Sequence, residues 1–454
     1  MKTHIKKLFL KVASSKVRKK TKLSTIQSTE LAETLIRTLY SMNGLRFWRN
    51  QLYARILLEG IDWNRLTLTE EKLNKLIPSP TYRHDYREPI GIWYTIDPGE
   101  DHTDAPKIRN NDRVTYYASG REPFLAIANH ISPERRVVLA PYFTCGTVYQ
   151  PFQENDWEIV YYKVTRELKI DLQDVEEQFQ KHRPSIAIFM EYSGMDLTDE
   201  ELQTLGKLKQ AGCVTIVDRS QNIYSDRRSE EVDFYCGSLR KWYPFPDGAY
   251  LEKNGTISLP PAPKADDYND VYTGVRAAMM IVNRLADKTK IEQYLQLANF
   301  FHKFSASYIC CQPVRIRSMS EYSKAVYLQE QQNDREYMQQ RTENFRYIFH
   351  RISSFTAIRP VCSDYARFTS PPFYFHIYAG NRKKLIAYLS SKGITTWINW
   401  NKAKHFGELD GQTEFIFRHI LSLPCDQRYT QQDMTVMCDA LEAYEHLYGK
   451  PPTG

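Results

Sequence analysis

The sequence predicts an α/β fold: a large domain on a mostly parallel sheet, a small C-terminal α+β domain and a helical N-terminal extension. Three observations carry this expectation. From about residue 110, short runs that are apolar at every position alternate with amphipathic helical stretches. Strands apolar on both faces belong to a parallel sheet that helices cover on both sides. The last hundred residues change to a sparser mixture of strands and helices. The first ninety read as helical only and end near Pro78-Ser79-Pro80, a linker-like stretch. The expected units are residues 1–90, 91–345 and 346–454, in keeping with domains of roughly 150 residues in a chain of 454.

In chain order, Ser28 or Thr29 is placed to cap a helix through Leu31, Leu35, Leu39 and Tyr40, which Asn43-Gly44 ends. A second helix is expected from Leu45 to Leu58. Val137-Val138-Leu139-Ala140, closed by Pro141, is a buried strand, and Glu158 to Tyr162 is the next. Leu172, Val175 and Phe179 share one helical face. Ile186 to Met190 is a continuous apolar strand. Thr198 and Glu201 have the spacing of a capping box, opening a helix that turns Leu202, Leu205 and Leu208 inward. Val214 to Val217 is a further strand. In the last unit, Phe373 to Tyr378, Ile394 to Ile398 and Ile420 to Leu423 read as strands. A helix opened by Asn381 stops at Gly393, and Thr430 caps a final helix through Met434, Met437, Leu441 and Tyr444.

Composition is that of an ordinary globular chain, with 42% hydrophobic and 25% charged residues. The net charge of +7 is local. The first 20 residues hold eight basic side chains (Lys2, Lys6, Lys7, Lys11, Lys16, Arg18, Lys19, Lys20) and no acid, so the remaining 434 carry −1. A near-neutral body speaks against a nucleic-acid binder, whose basic surface is its signature. No stretch reaches the ~20 apolar residues of a membrane span. Leu8-Phe9-Leu10 is cut by Lys11, so no signal peptide is expected. The eight cysteines are scattered without a CxxC pair. Reduced thiols in a cytoplasmic protein, with no disulfide framework and no metal site, are the expectation.

The chemistry is expected at the carboxyl ends of the parallel strands. Val214 to Val217 ends in Asp218-Arg219-Ser220-Gln221. Ser238-Leu239-Arg240-Lys241 follows, and then Asp247-Gly248-Ala249 leads into a strand. A strand-end carboxylate with a lysine beyond it is what pyridoxal 5′-phosphate (PLP) requires. The lysine amine condenses with the aldehyde and later moves protons at the substrate Cα. The carboxylate keeps the pyridine nitrogen protonated, so that the ring accepts electrons. The phosphate needs donors, and Ser119-Gly120-Arg121, read as a turn into a helix, offers them.

These segments, in this order, resemble the DegT-like sugar aminotransferases of the fold-type I PLP enzymes over about residues 110 to 450. Asp218-x-x-Gln221 resembles the family's Asp-x-x-His/Gln motif, and Lys241 before an Asp-Gly strand resembles its lysine motif. Ser119-Gly120-Arg121 is similar to its phosphate cup, and Val138 to Thr144 to its proline-ended strand. The resemblance implies a PLP-dependent transferase (aspartate aminotransferase-like) fold with Lys241 as catalytic residue, carrying the internal aldimine. It implies that Asp218 meets the pyridinium, Gln221 the phenolate oxygen, and Ser119, Gly120, Arg121 and Ser238 the phosphate. Where the family places an aromatic ring over the cofactor this chain has Cys145, leaving Tyr142 or Phe143 either to stack instead or to lie in the core. Arg428 is a candidate for a donor carboxylate or a surface residue. The implied reaction moves an amino group from a donor such as glutamate to a keto (nucleotide-)sugar in a homodimer. Alternatives are another PLP reaction on the same fold and a non-catalytic PLP-binding relative.

Overall fold

The computed structural model describes residues 68–449 apart from 78–80, 83–87, 92, 99, 101, 103, 132 and 265–269, together with 14, 17–18, 27–34, 56 and 61. Seven strands form the main sheet: β1 Val114–Tyr117, β2 Val137–Pro141, β3 Glu158–Tyr162, β4 Ile186–Met190, β5 Val214–Asp218, β6 Phe234–Gly237 and β7 Ala249–Lys253. Their order is β1-β7-β6-β5-β4-β2-β3. The five from β6 to β3 run parallel, and β7 runs antiparallel to both its neighbours.

Every residue of β2 and β4 is buried, which is why both read as unbroken apolar runs. The two-residue period of a strand splits them between two cores. Leu139, Ala187, Phe189 and Val217 face one, while Val138, Ile186, Ile188 and Ile216 face the other. The helices Glu122–His130, Gly146–Gln153, Leu172–His182 and Asp199–Gln210 connect the strands. The expected capping box is formed: the Glu201 N–H donates to Thr198 Oγ1 (3.2 Å) and the Thr198 N–H to Glu201 Oε2 (2.8 Å).

A second sheet, β8 Ile358–Pro360, β9 Phe375–Ala379 and β10 Ile420–Leu423, is antiparallel with β9 in the middle. Two expectations need correction here. The β9 strand starts at Phe375 and not at Phe373, because the carbonyls of Phe373 and Tyr374 accept from the Arg341 guanidinium and the Ser193 hydroxyl. Ile394 to Ile398 is not a strand. Ile394 bridges Ile90 while Trp397 bridges Ser422, so the segment changes neighbours within four residues and builds no ladder.

Residues 27–34 are helical, which places Ser28 and Thr29 inside a helix, not at its cap. The expected continuation to Tyr40, most of the helix from Leu45 to Leu58 and the stretch Pro78-Ser79-Pro80 lie outside the described residues. Leu31, Ile56 and Leu73 are buried in one cluster with the helices Asp270–Thr289 and Glu292–Cys311. Among the described residues no helix is long and apolar enough to cross a membrane.

Candidate active site

Parallel pairing sets Asp218, the last residue of β5, beside Cys236 of β6. The chain then leaves β6 through Ser238 and the 3-10 turn Leu239–Lys241, so the acid and the lysine leave the same carboxyl edge. The two sense each other's charge. Burial pushes the Asp218 carboxyl up, and Lys241 is the foremost influence holding it down. Burial pushes the Lys241 ammonium down, against the influence of Cys145 and Asp218. Both groups are therefore drawn toward their neutral forms, as expected of a buried acid–amine pair. The Ser220 N–H donates to Asp218 Oδ1 (2.8 Å) and fixes the carboxyl.

Lys241, Gln221, Arg240 and Cys145 line one side of a cavity. Trp93, Tyr94, Trp397, Trp400, Asp426 and Arg428 supply much of the rest. Gly91 permits the approach of the first of these segments. Its φ is +94°, and a Cβ there would lie 2.3 Å from the Thr395 carbonyl oxygen. Tyr94 OH and Gln427 Nε2 both donate to the Trp242 carbonyl (2.7 and 2.9 Å), tying the lysine turn to the opposite wall.

Several residues singled out in the sequence converge. Gln221 is 1% exposed and its Oε1 has no hydrogen-bond partner. The buried Ser238 Oγ likewise has none. A Cβ on Gly120 would stand 3.3 Å from Ser238 Cβ and 3.9 Å from Ser220 Oγ, so Gly120 and two serines share one recess.

Others go elsewhere. The Ser119 hydroxyl donates to Glu122 Oε1 (3.1 Å). The Arg121 guanidinium turns to Gln150 Oε1 (2.8 Å) and the Ile309 carbonyl (3.0 Å), on a separate recess shared with Glu30 and Arg317. Phe143 is a core residue among Tyr192, Trp400 and Phe417. Tyr142 stacks on Tyr161, 5.0 Å between centroids. Neither lines the cavity; Cys145 does. Arg428 lines it but is held by Asp426 in a bidentate pair (2.7 and 2.9 Å), which makes it neither a surface residue nor an unpaired cation.

Sequence reasoning missed Trp93, Trp397 and Trp400 in the wall, and Tyr272 and Arg276 beside the lysine turn. Only Arg240 carried a signal, its place next to Lys241.

No protein-family profile and no curated protein matches the chain. Solved structures do match in fold. DesV from S. venezuelae, in complex with a ketimine intermediate, is 16% identical with a TM-score of 0.53, covering 74% of this chain and 85% of its own. Helicobacter pylori PseC, an aminotransferase of pseudoaminic acid biosynthesis, is 12% identical with a TM-score of 0.54 over 74% and 87%. A DegT DnrJ EryC1 StrS aminotransferase from Brucella abortus is 17% identical with a TM-score of 0.51 over 74% and 86%. The chain has the α/β fold of these proteins.

Proposed function

We propose that the chain is a PLP-dependent aminotransferase, transferring an amino group from an amino acid such as glutamate to a keto (nucleotide-)sugar, with Lys241 as the catalytic residue. Its working form in this reading is a homodimer, with residues 91–345 holding the cofactor between the 1–90 extension and the 346–454 domain. One observation carries the reading: an amine, Lys241, and an acid, Asp218, leave the same sheet edge within reach of each other's charge, beside a cavity that Lys241 lines. The neighbouring residues fit the cofactor. The Gln221 amide oxygen and Ser238 hydroxyl are buried polar atoms that lack partners among the described residues, an expensive arrangement unless a ligand completes it. The Gly120 recess is a cradle that a side chain would fill.

When bound, PLP supplies an aldehyde and an electron-withdrawing ring. The chain supplies the rest. Burial lowers the proton affinity of the Lys241 amine, which suits it as nucleophile and proton carrier. Asp218 would hold the proton of the ring nitrogen, and Gln221 would orient the ring's oxygen substituent. The tryptophans of the cavity wall limit water around the amine. The fold neighbours PseC and the Brucella abortus protein, both aminotransferases, support the aminotransferase assignment.

The test is a visible spectrum of the purified protein with added PLP. The expected outcome is an absorbance band absent from free cofactor, lost in Lys241→Ala while the circular dichroism of the fold is kept. Wild-type protein that gains no such band overturns the proposal.

A further inference from the structure

Beside Lys241 stand two guanidiniums, those of Arg240 and Arg276, with no ion-paired carboxylate among the described residues. The helix Asp270–Thr289 places Tyr272 and Arg276 against the lysine turn. The Arg240 guanidinium lies 5.9 Å from the Tyr272 ring centroid, and that of Arg276 5.7 Å. Arg276 is 5% exposed, lies 5.0 Å from the Trp93 ring and donates through Nε to the Pro246 carbonyl (3.0 Å). The Nε of Arg240 is buried and has no hydrogen-bond partner. Among the described residues, neither guanidinium has a carboxylate within ion-pair distance. Arg276 is buried and Arg240 partly so, and a desolvated cation with no ion-pair partner among the described residues is costly.

Tyr272 reports the same imbalance. Burial pushes its phenol up, yet Arg240, Arg276 and Arg121 together more than reverse this and leave it below its ordinary value. Arg276 is itself pushed down to about 10, chiefly by burial, with Arg240 among the causes. Tyr272 and the buried Asp247 pull Arg276 the other way, but no carboxylate among the described residues pairs with either guanidinium, and Arg240 adjoins the lysine to which the cofactor is assigned.

We infer that Arg240 and Arg276, steadied by Tyr272, clamp the phosphate of the bound cofactor. This rests on the PLP reading and assigns the phosphate charge to different residues than the sequence did. Arg121, the arginine of the expected phosphate turn, is spent on Gln150 and Ile309. The Ser119 hydroxyl is spent on Glu122. Gly120 and the buried Ser238 hydroxyl then offer uncharged contacts, while the two guanidiniums match a dianion with forked donors.

The experiment compares PLP with pyridoxal, which lacks only the phosphate, on wild type, Arg240→Gln, Arg276→Gln and Arg240→Lys. Binding is followed by quenching of tryptophan fluorescence, so no turnover is needed. Loss of one charged hydrogen-bonding partner is expected to weaken PLP binding roughly 10- to 100-fold. Pyridoxal binding stays within about threefold, and Arg240→Lys recovers part of the loss. Arg240 is partly exposed, so its variants keep the test open if Arg276→Gln fails to fold. Equal weakening of PLP and pyridoxal, or no weakening of PLP, overturns the clamp and leaves the cofactor reading standing. Wild-type protein that binds neither compound overturns both.

Discussion

At the scale of single residues, the site is marked by polar atoms the chain leaves unsatisfied. Gln221 is the clearest case, with a buried amide oxygen that no donor meets. An unmet buried acceptor costs about 1–3 kcal/mol. Gln221→Leu is therefore expected to raise the melting temperature of cofactor-free protein while weakening PLP binding. Calorimetry with and without PLP checks both halves, and a variant destabilised in both states would show that Gln221 serves packing instead. The residues legible in the sequence were those whose polarity contradicts their position. Asp218 closing an apolar strand and Lys241 after another are incongruous, so they stood out. Tyr142 and Phe143 are not, because an aromatic side chain reads the same in a core as over a ligand. Phe143 went to Trp400 and Phe417, partners more than 250 positions away that no local pattern announces.

At the scale of elements, strands and helices were legible wherever one partner set holds along the whole segment. The buried strands β2, β4 and β5 and the Thr198 capping box are of that kind. Segments that hand over from one neighbour to another, such as Ile394 to Trp397, were not. The turn between β1 and the helix Glu122–His130 joins both cases. Its glycine was visible, but its organising group is Glu122, a buried carboxyl accepting from the Ala118 and Arg317 N–H groups (3.0 and 3.2 Å) as well as from Ser119. Burial raises its pKa from 4.5 to about 8, against the charge of Arg121 and these hydrogen bonds. A raised folded-state value means the native protein keeps a proton that the unfolded chain gives up. The contribution is whole below about 4.5 and is lost as pH climbs through about 8. Glu122→Gln keeps the shape without the ionisation. It is expected to unfold at a higher temperature than wild type at pH 9, with the advantage gone at pH 5. Parallel melting curves at both values would refute the assignment of this proton.

At the scale of the whole molecule, the cavity joins stretches that sequence distance keeps apart. Trp93 and Tyr94 come from before the main sheet, Lys241 from its centre, and Arg428 from beside the second sheet. This far wall was illegible because only the folded chain assembles it. The Trp242 carbonyl accepts hydrogen bonds from both outer segments, and Tyr94 also accepts from Arg341 (3.1 Å). A cofactor seated at Lys241 therefore restrains a turn that both sides grip. Ligand at one hundred times its dissociation constant adds about 2.7 kcal/mol to stability. For a chain of this size that is a rise of several degrees. PLP is expected to move one cooperative unfolding transition upward as a unit in wild type, and by less in Lys241→Ala, where the covalent link is missing. Two separate transitions, of which PLP shifts only one, would mean that the lobes do not unfold together and that the grip on Trp242 couples nothing.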